Sequence, residues 1–189
     1  MHDGREPDIA NLEDRRGMMK TLVVYSSLTG NTKKVAQAVA AVLPECTLVS
    51  VEEAPTSVEA YGFVAAGYWV DRGMPDGRTR AWLEGVRNAR LAFFGTLGAW
   101  PDSEHARECM ACGEKLALEP SRGNVVLGSW LCQGRVDPKV LEIMAKRAAD
   151  AHPMTPERKA RIEEAAKHPD DDDCRQAQAF ILRMLERLK

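Results

Sequence analysis

Apolar residues along the chain fall into short unbroken runs, separated by stretches whose apolar positions recur at helical spacing. Five runs stand out: Thr21 to Tyr25, Thr47 to Val51, Tyr61 to Gly67, Arg90 to Gly95 and Val125 to Leu131. They are rich in β-branched and aromatic residues and show little polar alternation. That pattern predicts strands buried on both faces, as in a parallel sheet. After the first run, Val35, Ala36, Val39 and Leu43 lie on one side of a helix. Asp76 can cap a helix over Thr79 to Val86, and Ser103 starts another that reaches about Leu118. Strands alternating with helices predict an α/β fold with an open parallel sheet and right-handed crossovers.

Beyond the fifth run the chain turns wholly helical. Asp137-Pro138 starts a helix to about Asp150, and Thr155-Pro156-Glu157 starts one to about Lys167. Asp170 to Asp173 caps a third, in which Cys174, Ala177, Ile181, Met184, Leu185 and Leu188 form an apolar stripe that packs on the sheet. Residues 137–189 are thus a helical C-terminal extension of a single domain spanning 19–189. Residues 1–18 are polar and have little to bury, and read as a disordered arm. Met18 and Met19 directly precede the first strand and are alternative starts to Met1.

The first strand leads into the most informative stretch. Ser26 to Thr32 is a tight turn of hydroxyls with one Gly and one Asn, and a helix begins at Asn31 or Thr32. A strand, a hydroxyl-rich turn and a helix start make a phosphate seat. The free N–H groups of the first helical turn point at the anion and the helix dipole favours it. Ser27, Thr29 and Thr32 each offer a hydroxyl, and Gly30 lets the backbone come close. The dinucleotide fingerprint G-x-G-x-x-G and the nucleotide loop G-x-x-x-x-G-K-[ST] are both absent.

Composition narrows the function classes. The chain has 189 residues, enough for one domain with a real core. Its net charge of −2 gives no reason to expect nucleic acid. No apolar run is long enough for a membrane span, and the N-terminus lacks the apolar core of a signal peptide, which together point to the cytoplasm. Five Cys at irregular spacing fit reduced thiols better than a disulfide framework. Cys109 and Cys112 form a C-x-x-C inside a predicted helix, with no second pair to complete a metal set, so packing is their simplest role. Neither a metal site nor a catalytic acid, base or nucleophile emerges from the spacing of His, Cys, Asp and Glu.

Ser27-Leu28-Thr29-Gly30-Asn31-Thr32 resembles the phosphate loop of flavodoxins, [ST]-x-T-G-x-T, and it lies where that family has it, at the end of the first strand. The resemblance covers about Thr21 to Gly134. It implies a flavodoxin-like doubly wound five-stranded parallel sheet of order 2-1-3-4-5, with the C-terminal helices as an addition. It also implies FMN as the cofactor, with its phosphate on Ser27 to Thr32. In such sheets ligands bind beyond the carboxyl ends of the strands, where the order reverses. The loops after strands three and four would then flank the flavin ring. Tyr68 and Trp69, with Val70, Asp71 and Gly73, belong to the first of these; Thr96, Leu97, Gly98 and Trp100 belong to the second. Tyr68, Trp69 and Trp100 are candidate stacking faces, and one of the first two can instead continue the core. A carbonyl between Asp71 and Met74 is the expected partner of the flavin N5. Leu97 follows Phe94-Gly95-Thr96 where many flavodoxins carry an aromatic, and it cannot stack in the same way.

The two ring loops look like those of a divergent flavodoxin-like branch of anaerobic bacteria, some members of which are associated with bilirubin reductase. The resemblance therefore implies an electron-transfer protein that serves a dedicated redox partner protein, with a flavin or bilirubin-type reductase as one partner class. Two alternatives stay open. One is an FMN-dependent reductase acting directly on a small substrate; the other is a flavodoxin-fold binding module without FMN.

Overall fold

The computed structural model describes residues 19–147 and 154–188. Among these residues six strands form: β1 (Thr21–Tyr25), β2 (Cys46–Ser50), β3 (Phe63–Asp71), β4 (Met74–Pro75), β5 (Arg90–Leu97) and β6 (Val125–Gln133). Five of them make a parallel sheet in the order β2-β1-β3-β5-β6, and the short β4 pairs antiparallel with β3. With β4 set aside, this is the predicted order 2-1-3-4-5. The register places Val23 of β1 opposite both Leu48 and Ala65, and Val64 opposite Leu91.

Successive residues of a strand face opposite sides, and both sides are covered. On one side α1 (Asn31–Ala40) and α6 (Asp171–Glu186) bring Val35, Val39, Phe180 and Ile181 onto Val23, Phe63, Ala65 and Phe94. On the other, α2 (Gly77–Gly85) and α3 (Glu104–Ala117) bring Leu83, Met110 and Ala117 onto Leu22, Val24, Val64 and Phe93. Burying each Val, Leu, Ile or Phe contributes about 1.5–3 kcal/mol relative to exposure. A strand covered from both sides therefore needs the unbroken apolar runs seen in the sequence. Two helices, α4 (Pro138–Arg147) and α5 (Pro156–Ala165), follow β6 and lead to α6.

The helix starts follow the capping chemistry. The Asp76 carboxylate accepts from Arg78 N and Thr79 N at the start of α2, and Ser103 Oγ accepts from Ala106 N at the start of α3. Thr155 caps α5, and Asp170 caps α6 with Asp173 in a reciprocal capping box. The expected arm 1–18 and the continuation of α4 to Asp150 lie outside the described residues.

One stretch departs from expectation. The sequence predicts a loop from Tyr68 to Asp76, yet β3 runs on to Asp71, turns at Arg72 and Gly73, and returns as β4. Arg72 (φ 51°) and Gly73 (φ 81°) are both left-handed. Two such residues make the tight turn whose twist suits a two-residue hairpin.

Candidate functional site

At the carboxyl edge of the sheet the β1–α1 turn, the β3–β4 hairpin and the segments after β5 and β6 enclose a cavity of about 530 Å³. It sits at the switch point between β1 and β3, where the strand order reverses. The described residues lining it include Leu28, Thr29, Asn31, Trp69, Val70, Asp71, Arg72, Thr96, Leu97 and Gly98, joined by Arg135, Val136, Val140 and Ile143.

The turn end of the cavity carries donors of the kind that suit an anion. Gly30, in the left-handed region at φ 90°, is the N-cap of α1, which has no side-chain cap and no acidic residue in its first turn. Lys34 N donates to Gly30 O at 3.0 Å, where the helical ladder begins. The N–H groups of Asn31, Thr32 and Lys33 precede that bond and have no carbonyl one turn back to reach. A Cβ built on Gly30 would meet no protein atom within 4 Å, so the space beside the cap residue is open. Uncapped N–H groups, a helix dipole and an open approach favour a bound anion.

The hydroxyls divide their work. Thr29 is exposed and lines the cavity. Ser27 Oγ accepts from Gly30 N at 3.1 Å and holds the turn closed. Thr32 Oγ1 lies 2.9 Å from Thr96 Oγ1, and both residues are buried. That bond uses one of the two hydroxyl protons and leaves the other free to donate. The amide of Asn31 donates to Arg135 O at 2.9 Å and ties α1 to the segment after β6.

Beneath the turn lies a polar pin that the sequence pattern did not reveal. Ser26 Oγ donates to Asp76 Oδ1 at 2.8 Å, and Asp76 is 2% exposed. The same carboxylate accepts from Thr79 Oγ1 at 2.8 Å and from the N–H groups of Arg78 and Thr79. A buried carboxylate is tolerated when its oxygens are filled in this way. Asp76 was legible as a helix cap. Its bond to Ser26, 50 residues away in sequence, joins the phosphate-type turn to the end of the hairpin.

The aromatic pair at the end of β3 splits. Trp69 lines the cavity. Tyr68 points to the opposite face and is fully buried, with its ring edge-on to Phe93 at 6.0 Å and its hydroxyl donating to Met110 Sδ at 3.2 Å. Burial pushes its phenol pKa well up. Tyr68 is thus a core residue, which corrects its reading as a stacking face. Val70 and Asp71 line the cavity beside Trp69. Gly73 sits in the hairpin turn, where a Cβ would lie 4.0 Å from His105 Cε1. After β5, Thr96, Leu97 and Gly98 all line the cavity. Gly98 is required there, since a Cβ would come within 2.5 Å of Val136 Cγ2. Trp100 goes elsewhere: it is 42% exposed and borders a separate groove of about 880 Å³ along β6, with Glu114, Trp130 and Asp170.

One wall was unforeseen. Val140 and Ile143 of α4, 38% and 50% exposed, line the cavity together with Val136. With Trp69, Leu97 and Leu28 they make it apolar, as a flat apolar ring requires. An aliphatic wall drawn from the C-terminal extension thus lines the cavity together with Leu97. The only signal for it was the i, i+3 spacing of Val140 and Ile143 on a helix with no assigned neighbour.

Several other reactive side chains among the described residues are engaged structurally. Cys109 is buried with its Sγ 3.5 Å from His105 Nε2, and burial raises its thiol pKa. Cys132 is likewise buried and raised. Thiols held protonated make poor nucleophiles. His168, Asp170 and Asp173 each place a ligand-type atom within 4.8 Å of the others. Those atoms serve the capping box of α6 and a His168 Nδ1–Asp173 Oδ2 pair at 2.5 Å. No helix among the described residues is long and apolar enough to cross a membrane.

Comparison with known proteins places this arrangement. A family model described as a flavodoxin domain matches residues 22–182. The flavodoxin-like domain-containing protein BilS of Clostridioides difficile is 34% identical over 174 residues, which is 88% of this chain and 97% of that protein. Among solved structures, oxidised flavodoxin 1 of Bacillus cereus aligns with a TM-score of 0.57 at 15% identity, over 90% of this chain and 99% of that one. General stress protein 14 of Treponema denticola, solved in complex with FMN, aligns with a TM-score of 0.52 at 12% identity, over 87% and 99%. The two structural matches show the fold, while the family match and the BilS relative, each spanning most of the chain, show descent: this chain belongs to the flavodoxin domain family.

Proposed function

We propose that the protein binds FMN in the cavity at the carboxyl edge and passes electrons to a dedicated redox partner protein. The observation that carries this reading is the uncapped, open N-terminus of α1 at one end of an apolar cavity. The donor set matches the cofactor in kind: backbone N–H groups and hydroxyls for a phosphate, apolar walls for a ring. When bound, FMN supplies the redox chemistry, and the protein supplies position and electrostatics. Asn31 to Lys33 and Thr29 would hold the phosphate. Trp69 would cover one part of the ring, with Leu97 and the α4 wall as further apolar contacts. The hairpin peptides between Asp71 and Met74 are the candidates for contact with the ring edge. No side chain is assigned as a catalytic acid or base.

The partner class suggested by the resemblance is a flavin or bilirubin-type reductase, in the cytoplasm. A second reading, direct reduction of a small substrate, draws on the exposure of Val140 and Ile143, which leaves the α4 wall open to solution.

The deciding experiment is the visible spectrum of the purified protein, followed by stepwise photoreduction. A yellow protein that releases FMN on denaturation and accumulates a one-electron-reduced form supports the carrier. Rapid turnover with NAD(P)H and a small acceptor supports the reductase. A colourless protein that takes up no added FMN overturns both and leaves a binding module.

A further inference from the structure

The phosphate of FMN carries about −1.5 to −2 charges at neutral pH, yet Ser27 to Thr32 contains no charged residue. The lysines that follow are placed elsewhere. Lys34 Nζ donates to Pro169 O at 2.8 Å and lies 3.8 Å from Asp171 Oδ1. Lys33 is exposed and does not line the cavity. Among the described residues, the cations that do line it are Arg72 and Arg135. Arg72 belongs to the hairpin turn, on the side of Trp69 and Asp71.

Arg135 belongs to the phosphate turn. Its carbonyl accepts from the amide of Asn31, the first residue of α1. The preceding Gly134 packs so closely on Asn31 that a Cβ would lie 2.7 Å from Nδ2. Two more bonds fix the segment: Gly134 N donates to Leu97 O at 2.9 Å, and Arg135 N donates to His168 O at 3.2 Å. The backbone of residue 135 is therefore held against the first turn of α1 before any ligand arrives. The side chain stays exposed and free to turn to an anion at that turn.

We propose that Arg135 is the cationic partner of the FMN phosphate and the residue that makes the site prefer FMN to riboflavin. The assignment rests on the FMN reading above. A guanidinium offers paired N–H donors that match a phosphate, which the hydroxyls and backbone of the turn cannot supply as charge. Because the group is exposed, its contribution is screened by salt.

The test titrates flavin-free protein with FMN and with riboflavin, followed by flavin fluorescence at low and high salt. Arg135→Gln is expected to weaken FMN by about tenfold or more. It should leave riboflavin within about twofold, as for an ordinary surface change. The salt dependence of FMN binding should flatten in the same variant. Arg135→Lys should recover part of the loss, as a point charge without the fork, and Arg72→Gln should leave the FMN-to-riboflavin ratio unchanged. Thermal melts confirm that each variant is folded. An unchanged ratio in Arg135→Gln, or an equal loss of both flavins, overturns the assignment while the FMN reading stands. A wild-type chain that takes up neither flavin overturns the FMN reading and this assignment with it.

Discussion

Helices α1 and α6 lie side by side on one face of the sheet, with the Gln178 amide donating to Ala38 O at 3.0 Å, yet their N-termini are opposites. At α6, Asp170 Oδ1 accepts from the N–H groups of Asp172 and Asp173, and Asp173 Oδ2 accepts from Asp170 N. Three Asp fill its first turn. At α1 the N-cap is a glycine without a side chain to offer, and the first turn carries no acid. Both helices have the same dipole and the same orphan N–H groups. One end is closed by the chain's own carboxylates and serves stability. The other is left open at the rim of an apolar cavity, which is the arrangement expected where an outside anion must close it.

The sharpest way to break this contrast is to give α1 the character of α6. Thr29→Asp places a carboxylate at the open turn. FMN affinity should fall at least about hundredfold, through loss of the hydroxyl and like-charge repulsion. The flavin-free protein should melt at the same temperature or higher, because an acid near a helix N-terminus contributes about 0.3–1 kcal/mol. Opposite movements of binding and stability are the signature. A parallel fall in both would mean that the turn is structural and the contrast with α6 is empty.

The next effect concerns what holds the open end from below. Thr32→Val leaves the Thr96 hydroxyl buried without its 2.9 Å partner, which costs about 1–3 kcal/mol in urea unfolding. Removing both, as Thr32→Val with Thr96→Val, should restore most of that loss, since neither site is then an unpaired polar group. Additive losses would show that the pair is not coupled. At the closed end, Asp170→Ala should cost about 1 kcal/mol and leave FMN affinity within about twofold. A larger effect on FMN would show that α6 reaches the site through His168 and Arg135.

The two helix ends were unequally legible in the sequence. The α6 cap followed from a run of Asp before an apolar stripe, and α1 from a hydroxyl turn between strand and helix; both are local patterns. The strands were legible for a related reason, since burial on both faces demands unbroken apolar runs. The same feature hid the phase of β3. Where both faces are apolar, alternation does not tell which of Tyr68 and Trp69 meets the core, and the structure gives the core Tyr68. The hairpin was missed because Arg72-Gly73 is not the Asn-Gly or Asp-Gly pair that marks such turns. Arg135, Val140 and Ile143 reach the site across the fold, and the Ser26–Asp76 bond spans 50 residues. The i, i+3 spacing of Val140 and Ile143 marks a shared helix face, but no spacing tells which distant element that face meets.

The smallest effect tests the junction that joins the two ends. His168 Nδ1 pairs with Asp173 Oδ2 at 2.5 Å, and its Nε2 lies 3.6 Å from Glu164 Oε1. Asp170 adds a third nearby carboxylate, and the bond to Asp173 is the largest cause that raises the imidazole pKa above its usual value near 6.5. A folded-state pKa above the unfolded one means that the folded protein binds the proton more tightly. The stabilisation is then complete below about pH 6.5 and fades as pH rises through the folded-state value. Urea midpoints should therefore decline as pH rises above about 6.5 and through the raised folded-state value, and His168→Gln should flatten that slope while lowering the acid-side midpoint. A slope that survives in His168→Gln would assign the pH response to another group. His168 O also accepts from Arg135 N, so the titrating residue lies one backbone bond from the segment against the open end of α1, and an FMN affinity in His168→Gln within about twofold of wild type would show that the closed end serves stability alone.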